Sequence, residues 1–181
     1  ATTSASAMPA CRAVILPRAS ARMTPAASAT NRNERHAPVV TALAFQDNTG
    51  FDVAGINVTG NATLSSTGTV TQSAVIAAAG LELLGAGGTF TLNTQNNAIT
   101  TLAGNTGTVL FQDNTGFAIG TVNTAGLTVT GAATLTSTGT VTQTQAITTP
   151  TLTLTGVAGT FTLNGANNAI TTLDANNSAL T

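Results

Sequence analysis

The acidic side chains are the residues most able to do chemistry in the larger part of the chain. From Val39 onward they are five, spread along the sequence: Asp47, Asp52, Glu82, Asp113 and Asp174. Hydrolysis of a glycosidic bond needs two carboxyl groups that flank the bond. Asp47 and Asp113 occupy the same place in a repeated motif, FQDNTGF, so we interpret them as turn residues. A carbohydrate-active enzyme on a β-helix is therefore an alternative function, which carboxylates clustered in a groove would favour.

Other catalytic and metal-binding arrangements lack the necessary residues. The single histidine, His36, precedes Val39, and no Gly-x-Ser-x-Gly elbow accompanies it. Cys11 is the single cysteine, so the sequence has neither a disulfide pair nor a cysteine cluster for zinc. The run from Asp47 to Gly50 lacks the alternating carboxylates of a calcium loop. We predict no catalytic residue, no cofactor and no metal site, and a chain that is not an enzyme.

Regularly spaced threonines suggest a second alternative. Three runs contain Thr-x-Thr pairs, and they are Thr67–Thr71, Thr138–Thr142 and Thr151–Thr155. A flat face of such pairs can bind ice, whereas the structural interpretation is that β-branched residues suit exposed strand positions. A flat and regular threonine face would favour an ice-binding protein.

The chain has two unlike parts, which meet near Pro38. All five arginines, both methionines and four of the five prolines precede Val39, whereas all eighteen glycines follow it. Past this point there is no lysine, arginine or histidine, and about a quarter of the residues are threonine. We predict a leader or capping segment with little regular structure over residues 1–38 and a repeat body over residues 39–181.

Charge and hydropathy exclude several functions. The body has no cation to pair with phosphate groups, so we predict no nucleic-acid partner. No run approaches the roughly 18 apolar residues of a membrane span. The apolar stretch Ala13–Leu16 is too short for the core of a signal peptide. If the protein is secreted, we expect its export signal to lie outside this sequence.

The body contains two copies of a long unit. Leu64–Gln72 (LSSTGTVTQ) returns at Leu135–Gln143 as LTSTGTVTQ, 71 residues later. FQDNTGF at Phe45–Phe51 returns at Phe111–Phe117 after only 66 residues, so about five extra residues follow the second motif. A unit of about 71 residues that repeats in this way predicts modules that stack on one another.

The sequence pattern within the unit is typical of short β-strands. Threonine occupies every second position from Thr134 to Thr144, so that these threonines point one way and Leu135, Val141 and their neighbours point the other, and Gly, Asn and Asp separate such runs. The unit divides into segments of about 20, 22, 19 and 10 residues. The first three suit one coil each, and the last suits an excursion or part of a neighbouring coil. We predict an all-β fold, a right-handed parallel β-helix with its apolar residues inside, with a β-sandwich as the alternative.

Two local expectations follow from glycine and asparagine. Ala74–Leu84 has a locally ambiguous pattern, which we interpret as a buried strand that Gly80 interrupts. The pairs Asn96-Asn97 and Asn167-Asn168 suit left-handed corners at which stacked amides support each other.

The run Thr134–Gly156 (TLTSTGTVTQTQAITTPTLTLTG), together with the GTFTLN and NNAITTL segments, resembles the repeat body of filamentous haemagglutinin-type exoproteins of two-partner secretion and of related autotransporter passengers. The resemblance covers residues 39–181, and residues 1–38 do not match that family's secretion domain. It implies a right-handed β-helical stalk, secreted or displayed at a bacterial cell surface, that serves a structural or adhesive role without catalysis.

We also expect partners of two kinds. The body ends without a capping segment, so end-to-end self-association is expected, with Ala13–Leu16 packed on the first coil or on a second chain. An adhesive role implies contact with a host surface or a glycan.

Overall fold

The computed structural model describes residues 40–180, and side chains up to residue 176. This part of the chain forms thirteen β-strands and no helix. The leader predicted over residues 1–38, with Cys11, His36 and Ala13–Leu16, lies outside the described residues. The strands are β1 (Leu43–Gln46), β2 (Gly50–Val53), β3 (Ile56–Asn57), β4 (Asn61–Ser65), β5 (Thr69–Gln72), β6 (Ile76–Leu92), β7 (Ala98–Gln112), β8 (Ala118–Ile119), β9 (Leu127–Val129), β10 (Ala132–Thr136), β11 (Thr140–Gln143), β12 (Ile147–Phe161) and β13 (Ala169–Leu180).

The strands stack into a parallel β-solenoid of about seven turns, which confirms the predicted fold class. Every pairing between these strands is parallel, as between Leu43 and Ala62 on successive turns. The one antiparallel bridge within residues 40–180 joins Thr121 to Ala125 in a loop. The β-sandwich alternative is wrong, because a sandwich is built from antiparallel strands.

Each turn has three sides, so the solenoid has three faces. Face 1 contains β1, β4, the middle of β6, the first half of β7, β9 and the starts of β12 and β13. Face 2 contains β2, β5, the ends of β6 and β7, β10 and the middles of β12 and β13. Face 3 contains β3, the starts of β6 and β7 and, in later turns, β11 and the end of β12. β8 lies where faces 1 and 3 meet, because it pairs with Thr101 and Leu102 on one side and with β11 on the other.

Alternation along each strand places the apolar residues inside, as the sequence predicts. Val70 is fully buried and pairs with Phe51 on one neighbouring turn and with Phe90 on the other. Burial of a side chain of this size stabilises the fold by about 1.5–3 kcal/mol. The largest side chains of the core are fully buried in the same way, and they include Phe90, Phe111, Phe161, Leu64, Leu83, Leu102 and Leu135.

Glycines at two equivalent corners permit adjacent turns to approach. Gly85 and Gly156 both have positive φ, at 124° and 142°. A Cβ atom on either one would collide with the carbonyl oxygen of a serine on the preceding turn, Ser66 or Ser137. Glycine alone allows both the positive φ and the close approach of the serine carbonyl, so these two corners require glycine.

Two local expectations from the sequence are wrong. Gly80 does not interrupt the strand, because β6 continues from Ile76 to Leu92. Instead Gly80 leaves room, since a Cβ there would lie 2.6 Å from Asn61 Oδ1 and 3.0 Å from Val122 Cγ2. The paired asparagines are not left-handed, because within residues 40–180 the one non-glycine residue with positive φ is Ala158.

The two copies of the unit lie on different faces. In the first copy Leu64 is on face 1, where it pairs with Phe45 and Leu83. Its equivalent Leu135 pairs with Phe111 and Leu154 on face 2. In the same way Val70 lies on face 2 and its equivalent, Val141, on face 3. The predicted equivalence of Val70 and Val141 within the unit is confirmed, because each pairs with the phenylalanine of a GTFTLN segment. The unit therefore spans three turns and one further face.

Candidate functional site

Asp47 and Asp113 serve the turns in which the sequence places them. Thr49 donates to Asp47 Oδ1 from its backbone N–H at 2.8 Å and from its hydroxyl at 2.6 Å. These hydrogen bonds, the hydroxyl's first, hold the pKa of Asp47 below its ordinary value. Thr115 contacts Asp113 at the same two distances. Asp113 is fully buried and also accepts from the backbone N–H of Ile99 at 2.8 Å, which ties it to a further strand.

Asp52 and Asp174 are exposed on face 2 at opposite ends of the solenoid. Asp52 accepts hydrogen bonds from the hydroxyls of Thr71 at 2.9 Å and Ser73 at 2.5 Å on the next turn. Asp174 lies six turns away from Asp52, on β13. At about 4.8 Å per turn the two carboxylates are more than about 20 Å apart, too far to act on one bond.

Glu82 is the unexpected acid. It lies on face 1, only 1% of its surface is exposed, and three groups donate to it. They are Thr63 Oγ1 at 2.9 Å, Asn123 Nδ2 at 2.7 Å and the backbone N–H of Thr124 at 2.7 Å. Desolvation raises the pKa of Glu82, but these hydrogen bonds together outweigh it and leave the pKa below its ordinary value. The buried carboxylate is therefore held as an anion.

Asn123 and Thr124 belong to the loop of residues 120–126, which leaves the solenoid and returns across face 1. The antiparallel bridge and a hydrogen bond from the Gly126 N–H to the Gly120 carbonyl close this loop. This loop contains most of the five-residue insertion. The segment of about 10 residues was predicted to be either an excursion or part of a neighbouring coil, and the loop shows that it is an excursion. The contact with Glu82 was not foreseen. A signal existed, because Glu82 has no acidic equivalent in the second copy, where Thr153 replaces it.

Buried amides form the same network in both copies. Asn97 Nδ2 donates to the carbonyls of Leu92 and Gln112, both at 3.0 Å, and its Oδ1 accepts from the Ile76 N–H at 2.9 Å. Gln72 Nε2 also donates to Asn97 Oδ1. In the second copy Gln143, Asn168 and Ile147 repeat the arrangement. Each asparagine therefore joins a glutamine one turn away instead of stacking on another asparagine.

Face 2 carries the candidate binding surface, two parallel columns of outward side chains that we call the threonine array. Its members alternate with buried residues such as Val70, Phe90 and Leu152. Nine of the fourteen positions are threonine. In turn order the first column is Gly50, Thr69, Thr89, Thr108, Ala132, Thr151 and Thr172, and the second is Asp52, Thr71, Thr91, Leu110, Thr134, Thr153 and Asp174.

The structure brings together only part of the threonine runs seen in the sequence. Thr69 and Thr71 share face 2 with Thr151 and Thr153. The run around Thr140 lies on face 3 instead, because the second copy is rotated by one face. Five further threonines complete the array, although they lie outside the three runs: Thr89, Thr91, Thr108, Thr134 and Thr172.

Neither metal ligands nor a membrane helix accompany this surface in the described part of the chain. No group of three His, Cys, Asp or Glu residues comes together within residues 40–180. The same residues include no helix with the length and apolarity to cross a membrane. Comparison with known proteins gives no match: no family model, no curated protein and no solved structure is significantly similar to the chain.

Proposed function

We propose that this chain is a structural or adhesive segment of a β-solenoid protein that bacteria secrete or display at the cell surface, and that it has no catalytic activity. The haemagglutinin-type resemblance of residues 39–181 suggests this role. The observation that carries the proposal is the repeated internal framework: the same amide network, turn carboxylates and corner glycines recur in both copies. Repetition of this kind builds length and stiffness.

The carboxylates support the non-catalytic part of the proposal. A general acid for glycoside hydrolysis needs a raised pKa. Glu82 has the opposite arrangement, since its donors lower its pKa and the loop of residues 120–126 covers it. Asp47, Asp52 and Asp113 are occupied by hydrogen bonds within turns or between turns. The carbohydrate-active alternative therefore has little support from these acids.

The proposed location at the cell surface and the proposed absence of catalysis can both be tested directly. Antibodies against the purified chain should label intact, unpermeabilised cells that produce it, seen by immunogold electron microscopy. In parallel, the purified chain should release no reducing ends from plant, fungal or bacterial polysaccharides. Labelling only after permeabilisation would contradict the proposed location, and steady release of reducing ends would contradict the absence of catalysis. End-to-end self-association stays a prediction, which sedimentation at increasing concentration tests.

A further inference from the structure

Threonine is more frequent on face 2 than on face 1, and strand preference does not explain the difference. β-Branched residues suit outward strand positions in general, so this preference acts on all faces alike. Face 1 nevertheless has threonine at four of its fourteen outward positions, against nine of the fourteen positions of the threonine array. The outward residues of face 1 are Ala44, Gln46, Asn61, Thr63, Ser65, Gly80, Glu82, Leu84, Thr101, Ala103, Asn105, Thr128, Thr148 and Ala169. The enrichment on face 2 needs a cause of its own.

The hydroxyls of the threonine array are available for a ligand. Within residues 40–180, Thr71 is the one array threonine whose hydroxyl hydrogen-bonds another residue, Asp52. By contrast, Thr63 on face 1 donates to Glu82 beneath the loop of residues 120–126. The array also has no basic residue and no aromatic one. It presents hydroxyl and methyl groups and, at its two ends, single carboxylates.

The spacing of the array is fixed by the β-structure. Successive turns place equivalent residues about 4.7–4.9 Å apart, and the two threonines of one Thr-x-Thr pair lie about 6.6 Å apart. In ice, hydrogen-bonded oxygens are about 2.75 Å apart, and tetrahedral geometry then places second neighbours about 4.5 Å apart. The two repeats differ by roughly 0.3 Å per turn, so three or four successive turns stay in step with the lattice.

We propose that the threonine array binds ice. An uncharged, periodic partner suits a surface without cations, and its repeat must match a single turn of the solenoid. A glycan suits the array less well, because sugar rings pack on aromatic side chains and the chain has no Trp or Tyr. The phenylalanines at 90, 111, 117 and 161 are buried in the core. Ice binding goes beyond the structural role proposed above, and its failure leaves that role intact.

The experiment uses the full 181-residue chain and measures thermal hysteresis and inhibition of ice recrystallisation. Thr91→Lys and Thr134→Lys place a long charged side chain in the middle of the array, and each should abolish most of the activity. Thr142→Lys is the control, because Thr142 is an outward threonine of β11, more exposed than Thr91 and Thr134, that lies off face 2. Circular dichroism confirms that each variant keeps its β-structure.

A second variant tests the proposal in the opposite direction. Leu110 and Ala132 interrupt the two columns, so the double variant L110T/A132T completes five successive Thr-x-Thr turns and should increase both activities. Three results would overturn the proposal: no activity in either the native chain or L110T/A132T, an equal loss in Thr142→Lys, or retention on cellulose or chitin that Thr91→Lys abolishes while hysteresis is absent. The last result would assign the array to a glycan.

Discussion

The two copies of the repeated unit have the same internal framework and different surroundings. Thr63 and Glu82 of the first copy lie on face 1, under the loop of residues 120–126. Their equivalents, Thr134 and Thr153, lie on face 2 as open members of the threonine array. Glu82 is therefore buried in the first copy, whereas its equivalent Thr153 is only half-buried in the second. The residues of a unit determine where its strands and corners lie. The face on which each strand lies depends on the number of residues in the preceding turns.

The largest difference between the copies in the effect of a mutation on stability is expected for the phenylalanines of FQDNTGF. In both copies the two rings meet edge to face, with centroids 4.7 Å apart for Phe45 and Phe51 and 5.2 Å apart for Phe111 and Phe117. Phe111 is fully buried and Phe45 only half-buried. Phe111→Ala should lower the free energy of unfolding by about 3–5 kcal/mol, and Phe45→Ala by roughly half as much. Guanidinium denaturation measures both, and equal losses would show that the two motifs have the same environment.

The amide networks should give the next largest effect. Asn97→Ala leaves a buried N–H and two carbonyls without their partner, each costing about 1–3 kcal/mol before relaxation, so we expect a loss of about 3 kcal/mol in total. Asn168 is less buried, so Asn168→Ala should cost less. Urea denaturation compares the two, with the exposed neighbour Asn167→Ala as control. A control as destabilising as Asn97→Ala would contradict a structural role for the network.

Of the two turn carboxylates, Asp113 of the second copy should stabilise the fold more than Asp47 of the first. Asp113→Ala removes the acceptor for two backbone N–H groups in a buried site, which we expect to cost about 2 kcal/mol. Asp47→Ala removes an exposed acceptor for one backbone N–H and should have a smaller effect. The midpoint of thermal unfolding ranks the two variants. The double variant should be less stable without losing any turnover, and a hydrolytic rate that disappears while the fold persists would assign these acids to catalysis instead.

Glu82 should make a smaller contribution that depends on pH. Because its pKa in the folded chain is below the ordinary value, its stabilising effect is present above the pKa of the unfolded carboxyl and is lost as the pH falls through the folded pKa. The stability difference between the native chain and Glu82→Gln should therefore shrink between neutral pH and about pH 3. Thr153→Gln, at the equivalent position, should show no such trend.

Hydrogen exchange provides a second measurement of the same contact. The loop of residues 120–126 is held to face 1 through Glu82, so Glu82→Gln should accelerate amide exchange in this loop at neutral pH. Unchanged exchange together with a pH-independent stability difference would mean that the buried carboxylate does not hold the loop.

Much of the fold follows from the sequence because the signals are local and repeated. The alternation around Val141, the offset of 71 residues and the Gly-rich and Asn-rich corners together indicate a parallel solenoid. The turn role of Asp113 follows from its recurrence with Asp47. What the sequence leaves open is the number of residues in each turn, which places Thr134 on face 2 and not on face 1. Small corner differences determine that number, and no single residue encodes it.

The candidate surface could be predicted only in part for the same reason. Thr-x-Thr runs are visible in the sequence, but whether they share a face depends on the rotation between copies, which separates Thr140 from Thr151. The partners of Glu82 were missed because they are about 40 residues away, in an insertion with no strand pattern. The acid Glu82 and the five-residue insertion each occur in only one of the two copies. Features that break a repeat in this way are candidates for contact with each other.

Cysteine cross-linking tests the rotation between the copies most directly. In a Cys11→Ser background, Gln112→Cys with Thr136→Cys should form a disulfide, since these residues pair on adjacent turns of face 2. Asn105→Cys with Thr136→Cys should not, because Asn105 pairs with Thr128 on face 1. Mass spectrometry after mild oxidation distinguishes the two. Efficient cross-linking of the second pair and none of the first would mean that the second copy stacks directly on the first, without the change of face.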